Sequence, residues 1–167
     1  MGGWTLNGLR VLYSGLPFSV TASSTSLNMP GASQKADQVK GNVQQLGNIG
    51  TAGAFFDPLA FAPITAAKFG NAGTNSLRGP GEVHLDLGLT RTFKVGERVQ
   101  MQFRAEGLNF TNTPHFANPG GNVSSLVKNP DGSVKDLAGY AQVQSVANTG
   151  RDGIDERIFR FNLHINF

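Results

Sequence analysis

The chain contains no cysteine, which excludes a disulfide framework, a thiolate metal site and a cysteine nucleophile. That absence fits the cytosol and the outer membrane equally and does not choose between them. No run of about 18 apolar residues occurs, so no helix of the kind that crosses a bilayer is expected. Met1 is followed by Gly2, Gly3 and Trp4 without the basic and apolar stretches of an export signal. Charged residues make up only 15%, and the net charge of +3 is scattered, with no cluster of five or more Lys or Arg and no basic helix. Nucleic acid is therefore not an expected partner. Segments with a helical apolar period are scarce, and with 22 glycines in 167 residues the expectation is an all-β chain.

What is present is alternation. In Ile158–Phe167, residues Phe159, Phe161, Leu163, Ile165 and Phe167 point one way, while Arg160, Asn162, His164 and Asn166 point the other. Val83–Lys94 repeats the pattern, with Val83, Leu85, Leu87, Leu89 and Phe93 on one side and only Arg91 interrupting the apolar row. Arg98–Asn109 sets Val99, Met101, Phe103 and Ala105 against Arg98, Gln100, Gln102, Arg104 and Glu106. Val95-Gly96-Glu97 joins these two as a hairpin turn. Trp4–Tyr13 is less regular: Trp4, Leu6 and Leu12 share a face with Gly8 and Arg10, and Leu9, Val11 and Tyr13 share the other with Thr5 and Asn7. Strands are thus expected near 4–13, 83–94, 98–109 and 154–167. Each has about the ten residues that a tilted strand needs to cross a bilayer.

The connections are uneven. About seventy residues separate Tyr13 from Val83 and more than forty separate Asn109 from Ile154, both stretches rich in Gly, Ser, Asn and Pro. Loops of that size count against a compact soluble domain but are usual in an outer-membrane barrel. An antiparallel meander puts both on one rim and the tight turn on the other, matching long external loops and short periplasmic turns. Four strands cannot close, since about eight are needed, and an open edge leaves backbone groups that hydrocarbon cannot satisfy. The expectation is a partial antiparallel transmembrane β-barrel of about four final strands. Such a chain would be the C-terminal piece of a larger barrel, or a reading frame begun at an internal methionine; an assembly-defective remnant is a third possibility. The alternative fold is a soluble all-β binding or adhesion module, with the apolar faces forming a sandwich core.

Particular residues resemble a family. Gly3-Trp4-Thr5-Leu6-Asn7-Gly8 is followed by Ser14-Gly15-Leu16-Pro17-Phe18-Ser19-Val20 and by Phe56-Asp57-Pro58-Leu59-Ala60-Phe61. Then come Phe69-Gly70-Asn71-Ala72-Gly73, Leu77-Arg78-Gly79-Pro80-Gly81 and His84-Leu85-Asp86-Leu87. Arg104-Ala105-Glu106-Gly107-Leu108-Asn109-Phe110-Thr111-Asn112, Pro114-His115-Phe116 and the aromatic-ended last strand complete the set. In order and spacing these resemble the C-terminal end of TonB-dependent outer-membrane receptors, in particular the Oar-like group with an N-terminal carboxypeptidase-regulatory-like domain. The resemblance implies a 22-stranded barrel with an N-terminal plug that imports a scarce ligand such as a siderophore complex, cobalamin or a glycan. Energy would arrive through TonB, which would meet only N-terminal parts that are not among these residues, so the chain alone would not transport. The lipid bilayer, the rest of the barrel, the plug and the barrel-assembly machinery are the implied partners. Phe159, Phe161, Leu163, Ile165 and Phe167 would form the signal that the assembly machinery reads, through pairing at an exposed edge.

Chemistry-bearing residues are few. His84, His115 and His164 show no pair at ligand spacing, and His84 and His164 fall on the face expected to line the lumen. Asp152-Gly153-Ile154-Asp155-Glu156 lacks the spacing of a calcium loop and reads as a turn. Gly70, Gly73, Gly79 and Gly81 lie outside any strand–glycine–helix setting and are loop glycines. Arg104, Glu106 and Arg160 are expected to face the lumen, because a charge facing lipid costs about 2–4 kcal/mol at midplane. Arg91 near the periplasmic end can snorkel, beside Trp4 and Phe93 as belt aromatics. No catalytic set assembles from these residues, so neither an enzyme nor a cofactor or metal site is expected.

Overall fold

The structure is a computed structural model and describes residues 3–23, 34–50, 52–147 and 155–167. Among them the strands are β1 (Trp4–Tyr13), β2 (Pro17–Phe18), β3 (Thr21–Ala22), β4 (Gln34–Lys35), β5 (Asp37–Gln38), β6 (Phe61–Ala62), β7 (Leu77–Arg78), β8 (Glu82–Val95), β9 (Val99–Leu108), β10 (Val127–Lys128), β11 (Val134–Asp136) and β12 (Ile158–Asn166). Two short 3₁₀ turns, Pro58–Ala60 and Val123–Ser125, are the helical elements among the described residues, where no helix is long and apolar enough to cross a membrane. The chain is all-β with antiparallel strand pairing. It divides into two compact units.

One unit comprises Met1–Tyr13, Glu82–His115 and Ala147–Phe167 and is built on a four-stranded antiparallel sheet in the order β1-β8-β9-β12. β8 extends one residue beyond the expected 83–94 at each end, and β9 is one residue shorter at each end than 98–109. The expected start of the last strand at 154 lies outside the described residues, as do Asp152 and Gly153. β8 and β9 join through a tight turn in which Gly96 has φ +76°, a backbone conformation that a side chain resists. Ten residues of β1 pair without interruption with β8, from Trp4↔Arg91 to Tyr13↔Glu82. Nine of β12 pair with β9, from Ile158↔Leu108 to Asn166↔Gln100. A one-residue slip in either ladder would turn every apolar side chain to the opposite face, so the alternation itself fixes the register.

Apolar side chains of these strands are exposed. Leu6 is 71% and Phe161 70% exposed, and Leu12, Leu163 and Ile165 are exposed as well. The alternative expectation, a sandwich with this face as its core, is not what the chain builds: a sandwich core would bury these side chains against a second sheet.

The other unit, Ser14–Gly81 with Phe116–Val146, is made from the two long connections. They carry structure of their own. Pairs of very short strands, β2 with β7, β3 with β4, β5 with β6 and β10 with β11, surround a core in which Phe18, Val20, Phe56, Phe61, Val123 and Tyr140 are buried. Phe56 is the hub. Its ring meets those of Tyr140 at 5.5 Å and Phe61 at 6.1 Å edge-on and that of Phe18 at 5.8 Å, arrangements worth about 0.5–1.5 kcal/mol each beyond burial. Backbone bonds tie the two segments together, among them Thr21 N–H to the Gly121 carbonyl at 2.8 Å and Phe55 N–H to the Ala141 carbonyl at 2.7 Å. At Gly70 the backbone passes directly against the carbonyls of Lys35 and Ala36, where a Cβ has no room.

Candidate functional site: the two faces of the sheet

Directly opposed residues of an antiparallel ladder project to the same side, so the pairing sorts every side chain of the sheet into rows. Leu6, Leu89, Ala105 and Phe161 form one row. Trp4, Arg91, Phe103 and Leu163 form the next, and Phe93, Met101 and Ile165 the one after. Towards the other end lie Gly8, Leu87, Gly107 and Phe159, then Arg10 with Leu85, and Leu12 with Val83. All of these share one face. From Val83 to Phe93 the strand rises about 34 Å, which at a barrel tilt of about 40° spans about 26 Å, close to the apolar band of an outer-membrane barrel.

The ends of that face are marked by aromatic clusters. Near the tight turn, Trp4 meets Phe93 and Phe103 edge-on with ring centres 6.4 Å apart. The Arg91 guanidinium lies 5.1 Å over the Trp4 ring and 4.7 Å over that of Phe93. The single cation in the otherwise apolar row is thus held against π-faces, which attract it, and its position near the strand end lets the head reach water. Near the opposite end Phe159 meets Phe110 edge-on at 6.1 Å, with Arg157 5.6 Å over the Phe159 ring. Both rings close over Gly107, where an added Cβ would meet them at 2.8 and 3.1 Å.

The reverse face is polar. Thr5, Thr90, Arg104 and Asn162 form one row and Asn7, Gly88, Glu106 and Arg160 the adjacent one. The sheet therefore brings Arg104, Glu106 and Arg160 together on one face, with Arg104 donating to the Glu106 carboxylate and Arg160 opposite Glu106 in register. The Arg104 side chain is about half exposed, so the pair contributes at most about 1 kcal/mol. Asn7, Leu9, Asp86, Gly88, Glu106 and Leu108 border a shallow groove of about 270 Å³ on this side.

Sequence spacing gives no sign of one further grouping. His84 and His115 are 31 positions apart, yet their ring centres lie 5.7 Å apart. His84 Nε2 is 2.9 Å from Asp86 Oδ1, two residues along the same strand face, and that oxygen also accepts the Asn109 backbone N–H at 2.9 Å. Asn109 sits at φ +45°, and its side chain bonds both the N–H and the carbonyl of Thr113, so the segment after β9 folds back with a fixed geometry. His115 is 3% exposed. His164 opposes Gln102 in the Thr92 row, eight residues along β8 from His84, or about 27 Å. Among the described residues no set of three or more His, Asp or Glu side chains converges on one metal position.

Phe159, Phe161, Leu163 and Ile165 lie on the apolar face of β12, and Phe167 follows its last paired residue. β12 and β1 are the two edges of the sheet and have no second neighbour among the described residues.

No curated protein and no solved structure matches the chain. A family model does, over residues 1–153, which include β1, β8 and β9, all but one of the long strands. Alternation along strands of bilayer length, an apolar face of membrane height and that match lead to one conclusion: the chain belongs to the outer membrane beta barrel domain family and is an outer-membrane protein.

Proposed function

We propose that the chain supplies C-terminal strands to the barrel of a TonB-dependent receptor that takes up a scarce nutrient across the outer membrane. The observation that carries the reading is the open four-stranded sheet, predominantly apolar on one face and without a further strand at either edge among the described residues. In hydrocarbon each unpaired backbone group costs several kcal/mol, so the outer edges of β1 and β12 require further strands. The sequence resemblance along most of the chain names the kind of barrel. In it the apolar face meets lipid, and Arg104, Glu106 and Arg160 face the lumen, where they pack against water or the plug. Phe159, Phe161, Leu163, Ile165 and Phe167 present the terminal strand to the assembly machinery, which pairs with its free edge. Transport belongs to the whole receptor, and TonB acts on parts beyond these strands.

The test uses the full gene product in its own outer membrane. Extraction in detergent should give a heat-modifiable barrel larger than four strands, and photo-crosslinking in energised cells should join it to TonB. A closed assembly made solely of copies of these four strands, or a barrel that never contacts TonB, overturns the proposal. Removal of Phe167 should slow assembly in the outer membrane several-fold; unchanged assembly removes the terminal aromatic from the signal.

A further inference from the structure

We propose that His84 and His115 form a binding site for one divalent transition-metal ion of the zinc class, with Asp86 orienting His84. Three features of the pair support this. First, His84 Nε2 donates to Asp86 Oδ1 at 2.9 Å, which fixes the tautomer and leaves the lone pair of Nδ1 for a ligand bond. A carboxylate behind a histidine is the arrangement that metal-bound imidazoles have, raising the basicity of the ligating nitrogen. Second, the remaining nitrogens have no other occupation. His84 Nδ1 and both ring nitrogens of His115 are buried without a hydrogen-bond partner, although buried polar atoms are nearly always paired. An orphaned imidazole pair is costly in the absence of something that binds it.

Third, the spacing fits. With metal–nitrogen bonds of about 2.1 Å and a near-tetrahedral angle, two imidazoles on one ion have their ring centres about 5–6 Å apart. The His84 and His115 rings are 5.7 Å apart and tilted by 42°. Neutral imidazole selects zinc, copper and nickel over the hard cations calcium and magnesium, which take oxygen ligands. As no third His, Asp or Glu joins the pair among the described residues, water or a carbonyl oxygen completes the coordination. The site is held by rigid parts: His84 by the β1–β8 ladder, where it pairs with Val11, and the segment leading to His115 by the Asn109 bonds to Thr113.

The experiment measures Zn²⁺ alone, bound after equilibrium dialysis to the protein purified from outer membranes in detergent, with folding monitored by heat-modifiable migration. His84→Asn and His115→Asn should each remove one zinc per molecule, with binding at least tenfold weaker. Asp86→Asn keeps an acceptor oxygen for His84 and should weaken binding about 10–100-fold. His164→Asn should change nothing. If a variant fails to fold, the unmutated protein decides: Zn²⁺ should move the ring-nitrogen resonances of His84 and His115 and leave that of His164 in place. Equal zinc binding by all variants, an equal loss with His164→Asn, or unmoved resonances of His84 and His115 overturns the proposal.

Discussion

The four-stranded sheet and the compact unit built from the two long connections divide the apolar residues of one chain in opposite ways. The sheet arranges Leu6, Leu89, Phe161 and their row neighbours in alternation, leaving Leu6 and Phe161 exposed and Leu89 only half-buried. Among the described residues the compact unit has no strand longer than three residues, and it buries Phe18, Val20, Phe56, Phe61 and Tyr140. The difference follows from the solvent each is made for. In lipid an apolar side chain needs no protein cover, and the backbone needs a complete ladder. In water the reverse holds: hydrophobic burial drives the fold, and short irregular strands suffice because turns and backbone bonds satisfy the polar groups.

Substitutions can break or sharpen this contrast. The largest effect is expected from Phe56→Ala, which empties the hub of the aromatic core and should destabilise the compact unit by about 3–5 kcal/mol. Limited proteolysis should then cut within 14–81 and 116–146 while the heat-modifiable migration of the barrel persists. Loss of both together would show that the two regions do not fold separately.

Next is Leu89→Arg, in the middle row of the apolar face, with an expected loss of about 2–4 kcal/mol in denaturant unfolding from lipid vesicles. Thr92→Arg, on the polar face, should stay within about 0.5 kcal/mol. Equal losses would abolish the distinction between the faces. Arg91→Leu tests where the band ends. At the interface, removal of its contacts with Trp4 and Phe93 should lower stability by about 0.5–1 kcal/mol, whereas a gain would place that row inside the hydrocarbon.

The smallest effect at neutral pH belongs to Tyr140→Phe in the compact unit. Burial pushes the Tyr140 hydroxyl well above its ordinary value of 10.0, aided by the nearby Asp57 charge, and its oxygen has no hydrogen-bond partner. Above pH 10 the unfolded chain loses this proton and the folded one keeps it, so fewer protons are bound on unfolding and stability falls as pH rises. Proteolytic resistance of the compact unit should decline above pH 10 in the native protein and decline less in Tyr140→Phe. The two should be nearly equal at pH 7.

Much of the sheet is legible in sequence because its information is local. A side chain at position i and one at i+2 share a face whatever else the chain does, so Val83–Phe93 and Phe159–Phe167 declare an amphipathic strand from their residues alone. Arg104 and Glu106 follow from the same rule, and the register that sets Arg160 opposite Glu106 follows once the apolar rows are kept together. The core around Phe56 is not legible that way. Its members come from two- and three-residue strands and turns scattered between Phe18 and Val143; the one short alternation among them, Phe18, Val20 and Ala22, spans only five residues, and composition alone gives such stretches the look of loops.

Sequence by itself determined the all-β class, the long strands and the two chemically opposed faces, since each depends on neighbours two residues apart. Only the tertiary structure decided that the long connections share an aromatic core and that His84 and His115 meet. Both depend on contacts between distant segments, which chain folding selects and local spacing does not encode.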